Sequence, residues 1–456
     1  AKETNALDPM DFISRQILGE KPEMRVDTAI EIAIEYKAGA FYNNAIKVLT
    51  DANSNYPLVH YHLADLFEII GDKEKTQYHL EKGENADSYL CFPHRLDDML
   101  VLENAVKINV NNAMANYYLG CLYYDKKRYD NAIKCWENTA EKKPEFPTAH
   151  RNLALAYYNK RGDEKSALKE LETAFELDKT DARVLMELDQ LYKKTQMPAK
   201  DRLAFLEKHI DLVNFRDDLY TEYVTLMNLN GEYEKALDCL MSHSFHPWEG
   251  GEGKAPAQYV ASLCALAQKE SENEKAISLL ERTFAYPHNL GEGKLYGAQE
   301  NLQNYLLGLA YERLNNLEKA KEYFDKASLG LSEPQSAMYY NDQPPETIFC
   351  QGLALLKLGK TDEANSRFDK LISYADEHIN DNVKIDYFAV SLPDFLVFDE
   401  DLNTKNKVHC LFMKALVLLG KGENQKAKEI FHKAFSLDNS HFASHIYHQL
   451  FCEESL

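Results

Sequence analysis

Residues 119–144 read LGCLYYDKKRYDNAIKCWENTAEKKP. Apolar positions recur at helical spacing on either side of the polar run Asp125–Arg128, so the stretch reads as two antiparallel helices joined by a short turn. Leu119, Gly120, Tyr123, Ala132, Trp136 and Pro144 mark the pattern. Gly120 is the small residue where the two helices cross, and a large side chain of the same pair packs there. One register later stand Leu153, Ala154, Tyr157, Ala167, Leu171 and Ala174, which match once one residue is inserted near Arg161-Gly162-Asp163. A lone helix pair cannot hide its apolar face from water, so a chain built this way is stable only as a stacked series.

Four further copies match without gaps. They are Ala33/Tyr36/Ala45/Leu49/Ala52/Pro57, Gly308/Tyr311/Ala320/Phe324/Ala327, Gly352/Leu355/Ala364/Phe368/Leu371 and Ala415/Leu418/Ala427/Phe431/Ala434. Weaker copies centre on Thr76, Ala236 and Ala276, and the helices around 89–112 and 181–214 diverge from the period. The period of about 34 residues and its small and large positions resemble the tetratricopeptide repeat. The expected fold is all-α: a right-handed α-solenoid of about nine helix pairs with loop insertions. Residues 1–24 are expected to cap its start, 25–214 and 215–437 to form two arrays, and 438–456 to form a terminal capping helix.

Composition narrows the function. With 52 Lys and Arg against 73 Asp and Glu, the net charge is −21. A nucleic-acid groove needs clustered cations to neutralise phosphate, and an anionic membrane surface would also repel this chain. The eight cysteines (91, 121, 135, 239, 264, 350, 410 and 452) form no C-x-x-C pair and mostly fall in apolar helical stretches. They read as reduced thiols, which suits a cytoplasmic setting. No apolar run approaches the ~18 residues of a membrane-spanning helix, and no signal peptide is visible. Ala1-Lys2-Glu3 lacks a starting Met and looks like a cut point in a longer protein. No catalytic, cofactor or metal motif of known spacing occurs.

Three insertions break the period: 246–254, 286–294 and 390–403. The first two share Gly-Glu-Gly-Lys, 40 residues apart, at Gly251–Lys254 and Gly291–Lys294. A phosphate loop would need Gly where Trp248 and His288 stand, and Ser or Thr where Ala255 and Leu295 stand. The structural reading is that the glycines allow tight turns while Glu and Lys tie the loops to the helices. The functional reading is a polar contact patch of His246, Trp248, Glu249, Glu252, Lys254, His288, Glu292 and Lys294. Trp248 is its strongest candidate, because an indole in a Gly-rich loop is costly to leave in water.

In tetratricopeptide arrays, positions 2, 5, 9, 12 and 13 of each first helix line the concave side. Two neighbouring repeats then offer Tyr117, Cys121, Tyr124, Arg151, Tyr158 and Asn159. A Tyr-rich row with one Arg suits a peptide or a sugar, since rings give contact area at little entropic cost; the alternative is that the rings pack on adjacent repeats. Asn152 matches the chaperone-tail type of these repeats, but Tyr117 and Cys121 replace its Lys and Asn, so that specificity is not expected. His441, His445, His448 and Cys452 share one face of the last helix. Zinc accepts such ligands, but a capping helix whose rings cover the final repeat is the simpler reading.

Several stretches outside the repeat consensus resemble one bacterial family, whose members join an N-terminal domain of unknown function to a tetratricopeptide array. The carrying segments are His94-Arg95-Leu96-Asp97-Asp98 with Leu102-Glu103, Tyr123–Tyr129, Tyr157–Asp163, both Gly-Glu-Gly-Lys loops, and Asp386–Asp394. The resemblance implies a preceding β-rich domain like carbohydrate-associated sandwiches, and no catalytic residues follow from it. The expected function is a non-catalytic scaffold that binds a protein or peptide segment, or its own N-terminal domain. The alternative is part of a carbohydrate-processing enzyme whose site is completed by these loops.

Overall fold

A computed structural model describes residues 25–248, 250–336, 342–384 and 397–452. Among them lie twenty-three α-helices and no strand. They divide into two compact units, with the boundary at Asp178/Lys179.

In the first unit, consecutive helices pair as hairpins: α1 (Val26–Ala38) with α2 (Tyr42–Asp51), and α3 (Pro57–Ile69) with α4 (Lys73–Asn85). After the lone helix α5 (Leu96–Ile108), α6 (Ala113–Asp125) pairs with α7 (Tyr129–Lys142), and α8 (Pro147–Ala156) with α9 (Glu164–Leu177). Three of the helix starts carry side-chain caps: Asp72 accepts from Lys75 N–H (3.1 Å), Asn112 from Ala115 N–H (2.8 Å) and Asp163 from Ser166 N–H (3.0 Å). The turn between paired helices holds one left-handed residue, as at Gly71 (φ 83°) and Lys127 (φ 60°).

The lone helix α5 explains the first family-like stretch. Asp98, fully buried, accepts the backbone N–H groups of His94 and Arg95 and pairs with His62 of α3 at 2.9 Å. Burial opposes its ionisation, but His62 and the two amides prevail and hold the carboxyl below its usual range. Arg95 reaches back to Glu31 of α1 at 3.1 Å.

The second unit opens with three short helices: α10 (Ala182–Lys194), α11 (Ala199–Glu207) and α12 (Ile210–Val213). They are joined by charge as well as by apolar packing. Arg202, 1% exposed, forms a two-pronged bond with Asp189 (3.0 and 2.5 Å) and reaches Glu222 at 2.7 Å. Five hairpins follow: α13 (Asp217–Leu229) with α14 (Tyr233–Ser242), α15 (Lys254–Lys269) with α16 (Asn273–Arg282), α17 (Asn301–Arg313) with α18 (Leu317–Ala327), α19 (Pro345–Lys357) with α20 (Thr361–His378), and α21 (Leu402–Gly420) with α22 (Asn424–Leu437). Helix α23 (Phe442–Cys452) ends the described chain.

The small-and-large pairing expected from sequence is the packing rule observed. A Cβ on Gly120 would meet the Trp136 ring at 2.5 Å, on Gly308 the Phe324 ring at 2.4 Å, and on Gly352 the Phe368 ring at 2.4 Å. The Trp136 indole, whose ring rests on Gly120, donates to the Tyr117 carbonyl at 3.2 Å.

Candidate functional site

The inner positions of α6 and α8 form one candidate surface. Tyr117, Cys121, Tyr124, Arg151, Tyr158 and Asn159 are all half-buried. Their rings are braced from behind. Tyr117 stands edge-on to Tyr118 (5.3 Å) and Phe146 (4.9 Å), and Tyr124 edge-on to Tyr129 (5.0 Å). Tyr124 also lies 5.4 Å from Trp136, the ring that fills the Gly120 notch. Burial pushes the Tyr117 phenol well above its usual range and the Cys121 thiol up to about 12, so both groups are neutral. Asn152 donates to Cys121 Sγ at 3.9 Å and so bridges the two repeats.

The inserted residue near Arg161-Gly162-Asp163 has a structural outcome. The chain takes up the extra residue as a π-helical turn, Tyr157–Arg161, closed by Gly162 in the left-handed region (φ 64°). Tyr158 and Asn159, two of the six surface residues, lie on that turn. Tyr157 is tied down, donating to Glu137 at 2.9 Å.

The twin Gly-Glu-Gly-Lys loops are brought together. Phe245 N–H donates to the Asn289 carbonyl (2.8 Å), and Asn289 donates to the Leu240 and His243 carbonyls (2.7 Å each). Gly253 N–H donates to Glu292 at 2.8 Å. Gly253 and Gly291 both take left-handed φ, and a Cβ on Gly291 would meet the Phe245 carbonyl oxygen at 2.5 Å. Lys294 turns inward to Glu300 and the Phe284 carbonyl and lies over the Phe284 and Tyr286 rings. Trp248 folds onto Gly251, and His246 pairs with Asp217, which also holds His243 at 2.7 Å. Glu292 and Lys294 are thus engaged in tying the loops; Glu252, Lys254 and His288 are exposed at the surface. Glu249, the expected cap 1–24 and residues 390–396 of the third insertion lie outside the described residues.

The terminal histidines diverge. His441 meets Ser444 Oγ (2.7 Å), His445 meets the Asn439 carbonyl (2.8 Å), and His448 packs on Phe431 and Phe435. Among the described residues no three His, Cys, Asp or Glu side chains are grouped to hold a metal ion. None of the eight cysteines is in a disulfide. No described helix is long and apolar enough to cross a membrane.

A TPR repeat family model matches residues 120–160, and a tetratricopeptide repeat model matches 304–328 and 408–441. The chain is 23% identical over 367 residues to the TPR repeat-containing protein YpiA of Bacillus subtilis, spanning 69% of this chain and 81% of that one. Among solved structures it is similar to YrrB, described as a TPR protein with an unusual peptide-binding site (15% identity, 50% of this chain and 90% of that chain, TM-score 0.28). It is also similar to a tetratricopeptide repeat protein from Parabacteroides merdae (15% identity, 72% and 98%, TM-score 0.28). Small-to-large helix crossings in register define the class, an α-helical repeat protein. The repeats matched at residues 120–160, 304–328 and 408–441 are tetratricopeptide repeats.

Proposed function

We propose that the chain is an interaction scaffold whose first unit binds an extended segment of a partner protein along Tyr117, Tyr124, Arg151, Tyr158 and Asn159. The supporting observation is the bracing of half-exposed rings by buried ones. Rings already held in place give contact area without a further loss of rotamer freedom on binding. Arg151 adds a planar donor for a carboxylate or a backbone carbonyl of that segment. Eight thiols outside any disulfide fit a reducing, cytoplasmic setting in a bacterial cell.

A photo-crosslinking residue placed at Tyr158 in the full chain tests this, with Lys165 on the opposite helix of the same hairpin as control. The expected result is capture of a defined protein segment from position 158 and none from position 165. Equal capture at both positions would reject the surface. Tyr117→Ala and Arg151→Ala should each weaken binding of the captured segment about 10-fold or more.

A second reading rests on the joined loops. Glu252, Lys254 and His288 are exposed on loops tied by the Phe245–Asn289 and Gly253–Glu292 bonds. Such a surface suits docking of the family's preceding domain, and through it a carbohydrate-processing site. Turnover of glycosides by the full-length protein that is unchanged in Trp248→Ala, Glu252→Ala and Glu292→Ala would remove this reading.

A further inference from the structure

In the second unit, the first helices of the hairpins (α13, α15, α17, α19 and α21) share the inner face. Helix α23 lies against four of them. It packs on α13 and α15, while Tyr447 meets the rings of Phe349 on α19 (6.1 Å) and Phe412 on α21 (5.8 Å). Phe451 stands edge-on to Phe349 at 5.4 Å. A cap on the last hairpin alone would reach only α21 and α22.

The residues beneath α23 are at inner positions 5 and 9 of their repeats: Ala261 and Ala265 on α15, Phe349 on α19, and Phe412 and Leu416 on α21. All five are buried in one cluster with Ile446, Tyr447 and Leu450. The inner row of the first unit is different, half-exposed and mixed in polarity, with Tyr117, Arg151 and Asn159. Two alanines opposite large rings make a channel wide enough for a helix, and the helix supplies an aromatic and aliphatic stripe at i, i+1, i+4 and i+5 (Ile446, Tyr447, Leu450, Phe451). Polar ends fix its register: Gln449 accepts from Tyr233 Oη (2.8 Å) and donates to the Leu229 carbonyl (3.1 Å).

We propose that the inner face of the second unit is a helix-binding groove with α23 as its tethered ligand, and that it takes an amphipathic partner helix of the same aromatic stripe when α23 leaves. The tether is the short turn Asp438–His441. A short tether gives an effective concentration of about 1 mM. Against a Kd of ~1 µM for a helix of this size, about one molecule in a thousand is open. A partner helix therefore competes only when it binds more tightly or when α23 is unseated.

The test uses the full chain and a fluorescent peptide spanning Ser440–Cys452, with Cys452→Ser in the peptide to prevent oxidation. The chain variant Ile446→Glu/Leu450→Glu should keep its helical circular dichroism and bind the peptide saturably, at least 100-fold more tightly than the unaltered chain does. A peptide carrying the same two glutamates should not bind. Hydrogen exchange on the unaltered chain supplies an independent measurement if that variant fails to fold. Amides of α23 should exchange at least 10-fold faster than those of α21, by an opening that leaves α21 protected. A folded variant that ignores the peptide, or α23 amides that exchange only with global unfolding, would overturn the proposal. A dimer that exchanges α23 between copies would overturn the tether in cis.

Discussion

At the residue scale, the repeat is a lock between an absent Cβ and a ring. Phe368 shows it most severely, because Gly352 and Gly420 both abut its ring, at 2.4 and 2.5 Å from where a Cβ would stand. The ring has nowhere to retreat, so Gly352→Ala should destabilise the second unit by about 1–3 kcal/mol, read as a lower urea midpoint. Phe368→Leu in the same chain should recover part of that loss, since the two sites couple directly. Gly422→Ala, where nothing lies within reach, should act only through its left-handed φ of 76°. The pairings Gly120/Trp136, Gly308/Phe324 and Gly352/Phe368 were legible in the sequence because a period exposes which positions must stay small. The Arg202–Asp189 pair was not legible, because no pattern of polar residues says which ones a divergent segment will bury. Arg202→Met should cost about 3–5 kcal/mol by leaving Asp189 buried without its partner, and Arg202→Met/Asp189→Leu should cost less. Thermal melts of both variants check the order.

At the element scale, the one-residue insertion and the final helix carry most of the departure from an ideal array. The insertion was visible as a break in register, and a π-turn is its cheapest remedy because the helix on either side is preserved. The final helix brings a pH dependence. Burial lowers His441 and His448 to about 4 and also lowers His445. Around them stand Asp438, His409 and Lys405 at His441, Asp438 at His445, and His432 and Lys428 at His448. Imidazoles whose folded pKa lies below the unfolded value of ~6.5 bind protons preferentially in the undocked state. Their contribution is complete above pH ~6.5 and is lost as the pH falls towards 4. The urea midpoint of the second unit should therefore drop between pH 7 and pH 5, and the drop should be smaller in His441→Gln/His448→Gln. An equal drop in both proteins would rule out the histidines as its source.

At the scale of the whole molecule, each unit has its own logic of cooperativity. In an open array every repeat touches only its neighbours, and stability adds up along the chain. The second unit does not stay open. Asn439 N–H donates to Gln196 Oε1, and Asn439 donates to the Gln196 carbonyl, both at 2.8 Å and across 243 residues. Lys194 reaches Glu400 at 3.1 Å, and Gln449 links Tyr233 and Leu229. These contacts join its first helices to its last, so α10–α22 should melt in one transition rather than fray from an end. Gln449→Ala removes two of the closing bonds. It should cost about 1–2 kcal/mol and raise amide exchange in α13 and α23 before α17, measured by mass spectrometry.

The sequence by itself determined the helical class, the repeat register, the residues at each helix crossing, and which loops interrupt the period. Those features are local: a 3.6-residue periodicity and a spacing of about 34 residues report which side chains must be apolar and which must be small. Tertiary structure alone decided that the two Gly-Glu-Gly-Lys loops bond to each other, that Arg202 is buried with its acids, and that α23 turns back along the inner face instead of simply ending the row. Each of these joins residues far apart in the chain. Their energy comes from apolar area and paired charge removed from water on closure, which a repeat seen one unit at a time does not reveal.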